Sequence, residues 1–249
     1  MRAPIRVLPD GDVDAARREL LREFTCAAGA LAAAGGLPAL AAQATVVQPY
    51  ARTLLVDQNG APFRADALVP GEVQVFNYPF EASPVFLLQL AQPVAATELQ
   101  TQARETYSAP AGVGPRGSIV GFSAICSHKL MYPTPQISFI GLRKGFESEP
   151  AQVIHCCGDN SRYDPAQGAR VLAGPAPQPL AAVLLEWDAK TDHLVATGIQ
   201  GGEMFAAFFD KYGFKLETEL GAKARAPVGA AAVVRAAGAY SRQWQSCRA

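Results

Sequence analysis

Cys126-Ser127-His128 and Cys156-Cys157-Gly158-Asp159-Asn160-Ser161-Arg162-Tyr163-Asp164 are the stretches whose reading decides this chain. A cysteine and a histidine two residues apart on one loop can offer a thiolate and an imidazole to one metal centre. A second loop with its own cysteine extends the donor set. Soft thiolates favour iron–sulfur chemistry, and iron accepts imidazole as well. Downstream of both lies a Pro-rich segment, Gly174-Pro175-Ala176-Pro177.

The paired boxes resemble those of Rieske [2Fe-2S] proteins, in which Cys-x-His and Cys-x-x-His loops clamp the cluster and a Pro-rich loop covers it. Aligning the second box on Ser161-x-Tyr163-Asp164-Pro165 puts Cys156 at the ligand cysteine and Asp159 where the family has its second histidine. The chain therefore reads Cys-x-His followed by Cys-x-x-Asp. The likeness covers most of residues 50–200. Pro70-Gly71-Glu72, Phe76-Asn77-Tyr78-Pro79, Ser83-Pro84-Val85 and Gly112-Val113-Gly114-Pro115 are similar in flavour to the small subunit of the arsenite-oxidase type. The resemblance implies a mostly β fold, a small antiparallel β-barrel or sandwich with cluster-binding loops, preceded by an N-terminal anchor helix. It implies a [2Fe-2S] cluster with Cys126 and Cys156 on the inner iron and His128 on the outer one. Ser161 falls where the family has a serine donating to a bridging sulfide, and Tyr163 where a tyrosine donates to a cysteine sulfur. Gly174 and Pro175 fall in the covering loop.

Asp159 leaves three readings open. It ligates the outer iron through a carboxylate oxygen, which a hard ferric ion accepts; or His155 or Cys157 takes that place; or the cluster is altered or absent and the domain is structural. His155 directly precedes Cys156, and strand neighbours point to opposite faces, so a neutral strand histidine bonded to backbone is its plainer reading. His193 reads as ordinary surface. An imidazole in place of a thiolate raises the potential of such a cluster, and a carboxylate pushes the other way.

The chain has 249 residues, 49% of them apolar, which is enough for one domain with extensions. Its formal net charge is zero and it carries no basic block, which argues against nucleic acid as a partner. The five cysteines, Cys26, Cys126, Cys156, Cys157 and Cys247, are odd in number and scattered, unlike a disulfide framework. The resemblance places the family's box-to-box disulfide at Met131 and Gly158, so that bridge is not expected. Cys156 and Cys157 cannot replace it, because adjacent cysteines rarely reach disulfide geometry.

Along the chain, Arg17-Arg18 precede an apolar run from Thr25 to Ala42, resembling a Tat export signal. At about 18 residues the run can just cross a bilayer, although Gly35-Gly36 and Pro38 weaken the helix. Residues 1–45 thus read as signal or membrane anchor, and the domain as periplasmic on a bacterial inner membrane. Residues 43–53 are short on charge and contain Pro49, and the hinge is placed at 46–55. Alternating apolar residues at Val73–Asn77 and the dense run Val85–Leu90 are strand signals. Gln136–Leu142 and Val153–His155 also read as strands, separated by a polar excursion over 143–151. Leu180–Trp187 and His193–Gly198 form a hairpin across Asp188–Asp192. Phe205, Phe208, Phe209 and Tyr212 recur at helical spacing and read as packing. Residues 56–221 make the Rieske-type domain. Residues 222–249 form a basic, Ala-rich tail, read as a docking arm or a loose end.

No catalytic triad or phosphate loop is present in the sequence. The leading expectation is an electron-transfer subunit whose partners are a large catalytic subunit, a cytochrome, or both, in a membrane-associated complex. A second is the quinol-oxidising subunit of a bc-type complex, its head swinging on the hinge. A third is a cluster-less scaffold.

Overall fold

The structure is a computed structural model and describes residues 47–247. The expected signal or anchor lies outside them. The described part is mostly β. In chain order the first strands are β1 (Val47–Val56), β2 (Val73–Asn77), β3 (Pro84–Gln89), β4 (Thr97–Gln100), β5 (Thr106–Ala109) and β6 (Ile119–Ser123). Next come β7 (Ile137–Ser138), β8 (Ile140–Lys144), β9 (Gln152–Cys156), β10 (Ser161–Asp164), β11 (Arg170–Ala173), β12 (Ala182–Asp188) and β13 (His193–Gln200). Helix α1 (Phe205–Leu220) follows, then β14 (Ala231–Val233), β15 (Arg235–Ala236), the short α2 (Ala237–Tyr240) and β16 (Gln243–Trp244).

Strand β3 shows why the molecule has two cores. All six of its residues are buried. Val85 and Leu87 join Leu55, Phe76, Ile119, Ile199 and the α1 residues Phe205 and Phe208 in one core. Phe86 and Leu88 join Val120, Phe122, Ile140 and Ile154 in the other. Successive side chains of a strand go to opposite faces, so a strand covered on both sides reads as an unbroken apolar run rather than an alternating one. Full burial of each such side chain is worth about 1.5–3 kcal/mol. The aromatic spacing after Met204 is packing, as expected, with Phe205, Phe208 and Phe209 all buried.

An eight-stranded sheet, in the order β14-β1-β13-β12-β6-β3-β2-β15, forms the body. Its pairs are antiparallel except β14 on β1. The two edge strands are consecutive in the chain, with only the buried Val234 between them. One short segment therefore lies along both edges and draws the sheet nearly closed. Unpaired edge groups invite foreign strands; here the same segment covers both edges. A second sheet, in the order β11-β10-β9-β8, packs through Ile140, Ile154 and Tyr163 against the Phe86 face of the first.

Two expectations are corrected. Residues 46–55 are not a hinge: Val47–Val56 is strand β1, paired with β13 from Val47 opposite Gln200 to Leu54 opposite Val195. The register slips between Pro49 and Thr53, a break at which a proline costs no ladder donor. Residues 222–247 are not a free arm either. Beyond β14 and β15, Ser241 Oγ donates to the Thr134 carbonyl at 2.6 Å, the Arg242 N–H to Pro135 at 3.0 Å and the Gln245 N–H to Ser138 at 2.8 Å. β16 runs parallel to β7, and Trp244 lies so close over Gly141 that a Cβ there would meet its ring at 2.8 Å. The segment ends in a Cys157–Cys247 disulfide, which the scattered cysteines had argued against. The partners are 90 residues apart in sequence, so spacing gave no sign of the pair.

This strap should contribute stability that can be measured. The double variant Cys157→Ser/Cys247→Ser should lose about 2–4 kcal/mol, as expected when a long closed loop is released. Urea unfolding checks it: the midpoint falls, and an unchanged midpoint would mean that the hydrogen bonds of the strap hold it without the covalent bond.

Candidate metal centre

The first box follows β6 as that strand leaves the main sheet. The Cys126 N–H donates to the Met131 carbonyl at 2.9 Å, and the Cys126 carbonyl accepts the Leu130 N–H at 2.9 Å, folding 126–131 into a tight loop. From outside, Lys211 on α1 donates its ammonium to the Lys129 carbonyl at 2.6 Å. The second box is the turn between β9 and β10. Ser161 lies directly opposite Cys156, and His155 opposite Arg162. Cross-strand partners share a face, so Cys156 and Ser161 look into the site, while His155 and Arg162 look away. Asn160 takes the left-handed backbone the turn needs, at φ 60°, where Asn is better tolerated than most residues.

The Pro-rich segment ties the boxes together. Gly174, at φ +89°, packs so tightly that a Cβ would sit 2.6 Å from the Asn160 carbonyl oxygen and from Ser161 Cα. Ala176 packs against the core that contains Cys126 and Cys156. At the far end of the segment, Ser127 Oγ donates to the Gln178 carbonyl at 2.7 Å. Gly174 and Pro175 themselves are exposed, so they act through backbone placement.

Cys126, Cys156 and Asp159 bring their donor atoms within 4.8 Å of one another. Both thiols are buried. The Asp159 side chain is only 1% exposed, against 37% for His128. Asp159 Oδ2 lies 3.3 Å from Cys126 Sγ and 3.0 Å from His128 Nδ1. Its other oxygen, Oδ1, accepts the Ser161 N–H at 2.9 Å. Burial pushes the Asp159 carboxyl up, but the Ser161 N–H and the neighbouring Cys156, His128 and Cys126 outweigh it and hold the carboxyl below its ordinary value. The Cys156 thiol beside Cys126 draws the Cys126 sulfur down to about 7 against the opposing effect of burial, with help from Tyr163. The same contact, together with burial, pushes Cys156 up. A thiolate on Cys126 held by a neighbouring thiol is the form that ligates metals.

Two polar groups look onto this set. Tyr163 Oη is 3.3 Å from Cys126 Sγ and accepts the Ser127 N–H at 3.3 Å. The Ser127 hydroxyl spends its proton on Gln178, so the Tyr163 proton is directed toward Cys126 Sγ or Ser127 Oγ, 3.2 Å away. Burial and the Cys126 sulfur raise the Tyr163 phenol, keeping it a donor. The Ser161 hydroxyl is fully buried and has no hydrogen-bond partner. Such a group is costly unless something supplies an acceptor. Beside Cys156, an inorganic sulfide or a metal-bound thiolate is a fitting one. Two inward thiols, an outward imidazole, a carboxylate and two waiting hydroxyl donors therefore fit a sulfur-rich metal group.

The four ligand candidates Cys126, His128, Cys156 and Asp159 converge. The alternatives do not. Cys157 is in the disulfide, and His155 lies on the other face, with its ring 6.1 Å from that of Phe146. Burial lowers the His155 pKa, as for a neutral ring, but its Nε2 has no hydrogen-bond partner, in place of the expected backbone bond. His193 opens β13 at partial exposure. Ser127 and Gln178 were missed: their part is to spend one hydroxyl proton, which no motif records.

No family model matches this chain. Among solved structures it is similar to the soluble domain of the Rieske protein II (soxF) from Sulfolobus acidocaldarius, at 25% sequence identity over 62% of this chain and 82% of that chain, with a TM-score of 0.43.

Proposed function

We propose that this chain is a Rieske-type [2Fe-2S] electron-transfer subunit of a membrane-associated respiratory oxidoreductase, working on the periplasmic side. It would relay electrons between a catalytic subunit and a cytochrome or the quinone pool. Cys126 and Cys156 would hold the inner iron, and His128 and Asp159 the outer one. When bound, the cluster supplies one-electron redox chemistry at a potential set by its mixed ligands. The observation that carries the reading is the unpartnered Ser161 hydroxyl beside Cys156, matched by the Tyr163 hydroxyl on Cys126. The contact between Met131 and Gly158, where a Cβ would meet Met131 Cγ at 3.1 Å, supports the alignment of the two boxes.

The chain's own residues have distinct parts. Buried sulfurs keep water from the inner side, and Tyr163 and Ser161 donate to the more negative, reduced state, which raises the potential. His128, the exposed donor, is the short route to a partner. The membrane assignment rests on the twin arginine and the apolar run after it; among the described residues no helix is long and apolar enough to cross a membrane. The quinol-oxidising reading was built on a head swinging at 46–55, and β1 removes that hinge.

Reduced protein should give a rhombic electron paramagnetic resonance signal with average g below that of plant-type clusters. Cys126→Ala or Cys156→Ala should abolish it together with the bound iron. Silence and no iron in the parent protein would leave only the scaffold reading. Tyr163→Phe should keep the cluster and lower its potential by roughly 60 mV, taking the lost donor to favour reduction by about tenfold for one electron; protein-film voltammetry reads this directly. Asp159→His should retain the cluster, raise its potential and make that potential fall more steeply at alkaline pH, because a second imidazole can then lose a proton. An unchanged potential in Asp159→His would mean that Asp159 is not a ligand.

A further inference from the structure

The spacing of the four donors says more than their identity. Asp159 Oδ2 sits 3.3 Å from Cys126 Sγ and 3.0 Å from His128 Nδ1, and the Cys126, Cys156 and Asp159 donors span no more than 4.8 Å. Around one tetrahedral ion, with bonds of about 2.3 Å to sulfur and about 2.0–2.2 Å to nitrogen and oxygen, adjacent donors stand about 3.3–3.7 Å apart. Donors on two sulfide-bridged irons are held further apart, because the metal–metal separation is added between them. The contacts to Asp159 are those of a one-ion site closed slightly inward. An aspartate allows this where a histidine does not. Its carboxylate is short, its Oδ1 is fixed by the Ser161 N–H, and Oδ2 is left facing the sulfur and the imidazole together.

We propose that Cys126, Cys156, His128 and Asp159 form a closed tetrahedral site for a single borderline divalent cation of the zinc class. The site uses the same donors as the electron-transfer reading but does not depend on it. Two thiolates, one carboxylate and a neutral imidazole around a dication leave one net negative charge. The Tyr163 and Ser161 hydroxyls and the Ser161 N–H are placed to stabilise that charge. Binding releases the thiol protons that remain. Four protein donors with no open position make a structural site rather than a catalytic one. The ion would lock β6, the β9–β10 turn and the first-box loop into one unit, and partly exposed His128 marks its way in.

The test uses the full chain in detergent, stripped of metal and kept reduced, and titrated with Co2+. One equivalent should bind, with intense tetrahedral ligand-field bands and a thiolate-to-cobalt charge-transfer band, both bleached by one equivalent of Zn2+. Asp159→Asn, which keeps the shape of the side chain, should weaken Co2+ binding at least tenfold. Cys156→Ser should reduce the charge-transfer intensity by about half. Weak octahedral bands, no stoichiometric uptake, or Asp159→Asn binding as tightly as the parent would overturn the proposal. Iron–sulfide reconstitution of the same preparation separates the two readings. A cluster signal without a tetrahedral cobalt site sinks this inference and leaves electron transfer standing. A cobalt site in protein that assembles no cluster supports the inference and removes the electron-transfer reading.

Discussion

A carboxylate and two sulfurs stand where water hardly reaches them, and much of the described structure answers to that. Desolvating an ionised carboxylate costs several kcal/mol unless donors replace the lost water. For Asp159 the Ser161 N–H and the His128 ring do so. These donors are in place only because β9 and β10 pair in a register that sets Ser161 against Cys156, and because Asn160 accepts a left-handed turn. The register in turn relies on Gly174, whose missing side chain lets the covering segment lie directly on the turn. A bulkier residue there would have to displace backbone, not a flexible side chain. The electrostatic demand of one buried group thus fixes the local chain path over three separate segments.

The C-terminal segment links this local geometry to the body of the fold. Through β14 and β15 it occupies both edges of the main sheet, and a few residues later it is bonded to Cys157, the neighbour of a candidate ligand. Between those points it grips the loop after the first box at Thr134, Pro135 and Ser138. The seam of the sheet and the frame of the two boxes are therefore one continuous piece of chain. α1 adds a third restraint through Lys211. Loops this close to buried donors would lose donor spacing quickly if left free, since a shift of one ångström separates a hydrogen bond from none.

Local pattern carried much of the fold. The β3 run, the β12–β13 hairpin and the aromatic face of α1 were legible because each follows from a short period in the sequence and a turn beside it. The site was legible as residue types, because two boxes bring soft and borderline donors into short spans. What stayed hidden depends on distant partners. β1 looked like a linker because its few charges and Pro49 say nothing of β13, which supplies its ladder. The tail looked loose because its strands are two or three residues long, below the length at which periodicity is readable. The disulfide was hidden for the same reason. Ser127 gave no sign either, since its role is to leave the Tyr163 proton free for a sulfur.

The identity of the fourth donor follows from exclusion as well as contact. His155 is turned away by strand alternation, and Cys157 is spent on the strap, so neither can replace Asp159 without unmaking a strand or a covalent bond. That leaves a centre in which the harder donors, His128 and Asp159, adjoin and the two thiols lie behind them. Of the harder pair, only His128 meets solvent. Whatever the centre holds, one iron pair or one ion, exchange with the outside therefore passes along a single imidazole, while the carboxylate behind it sets the charge that imidazole must work against.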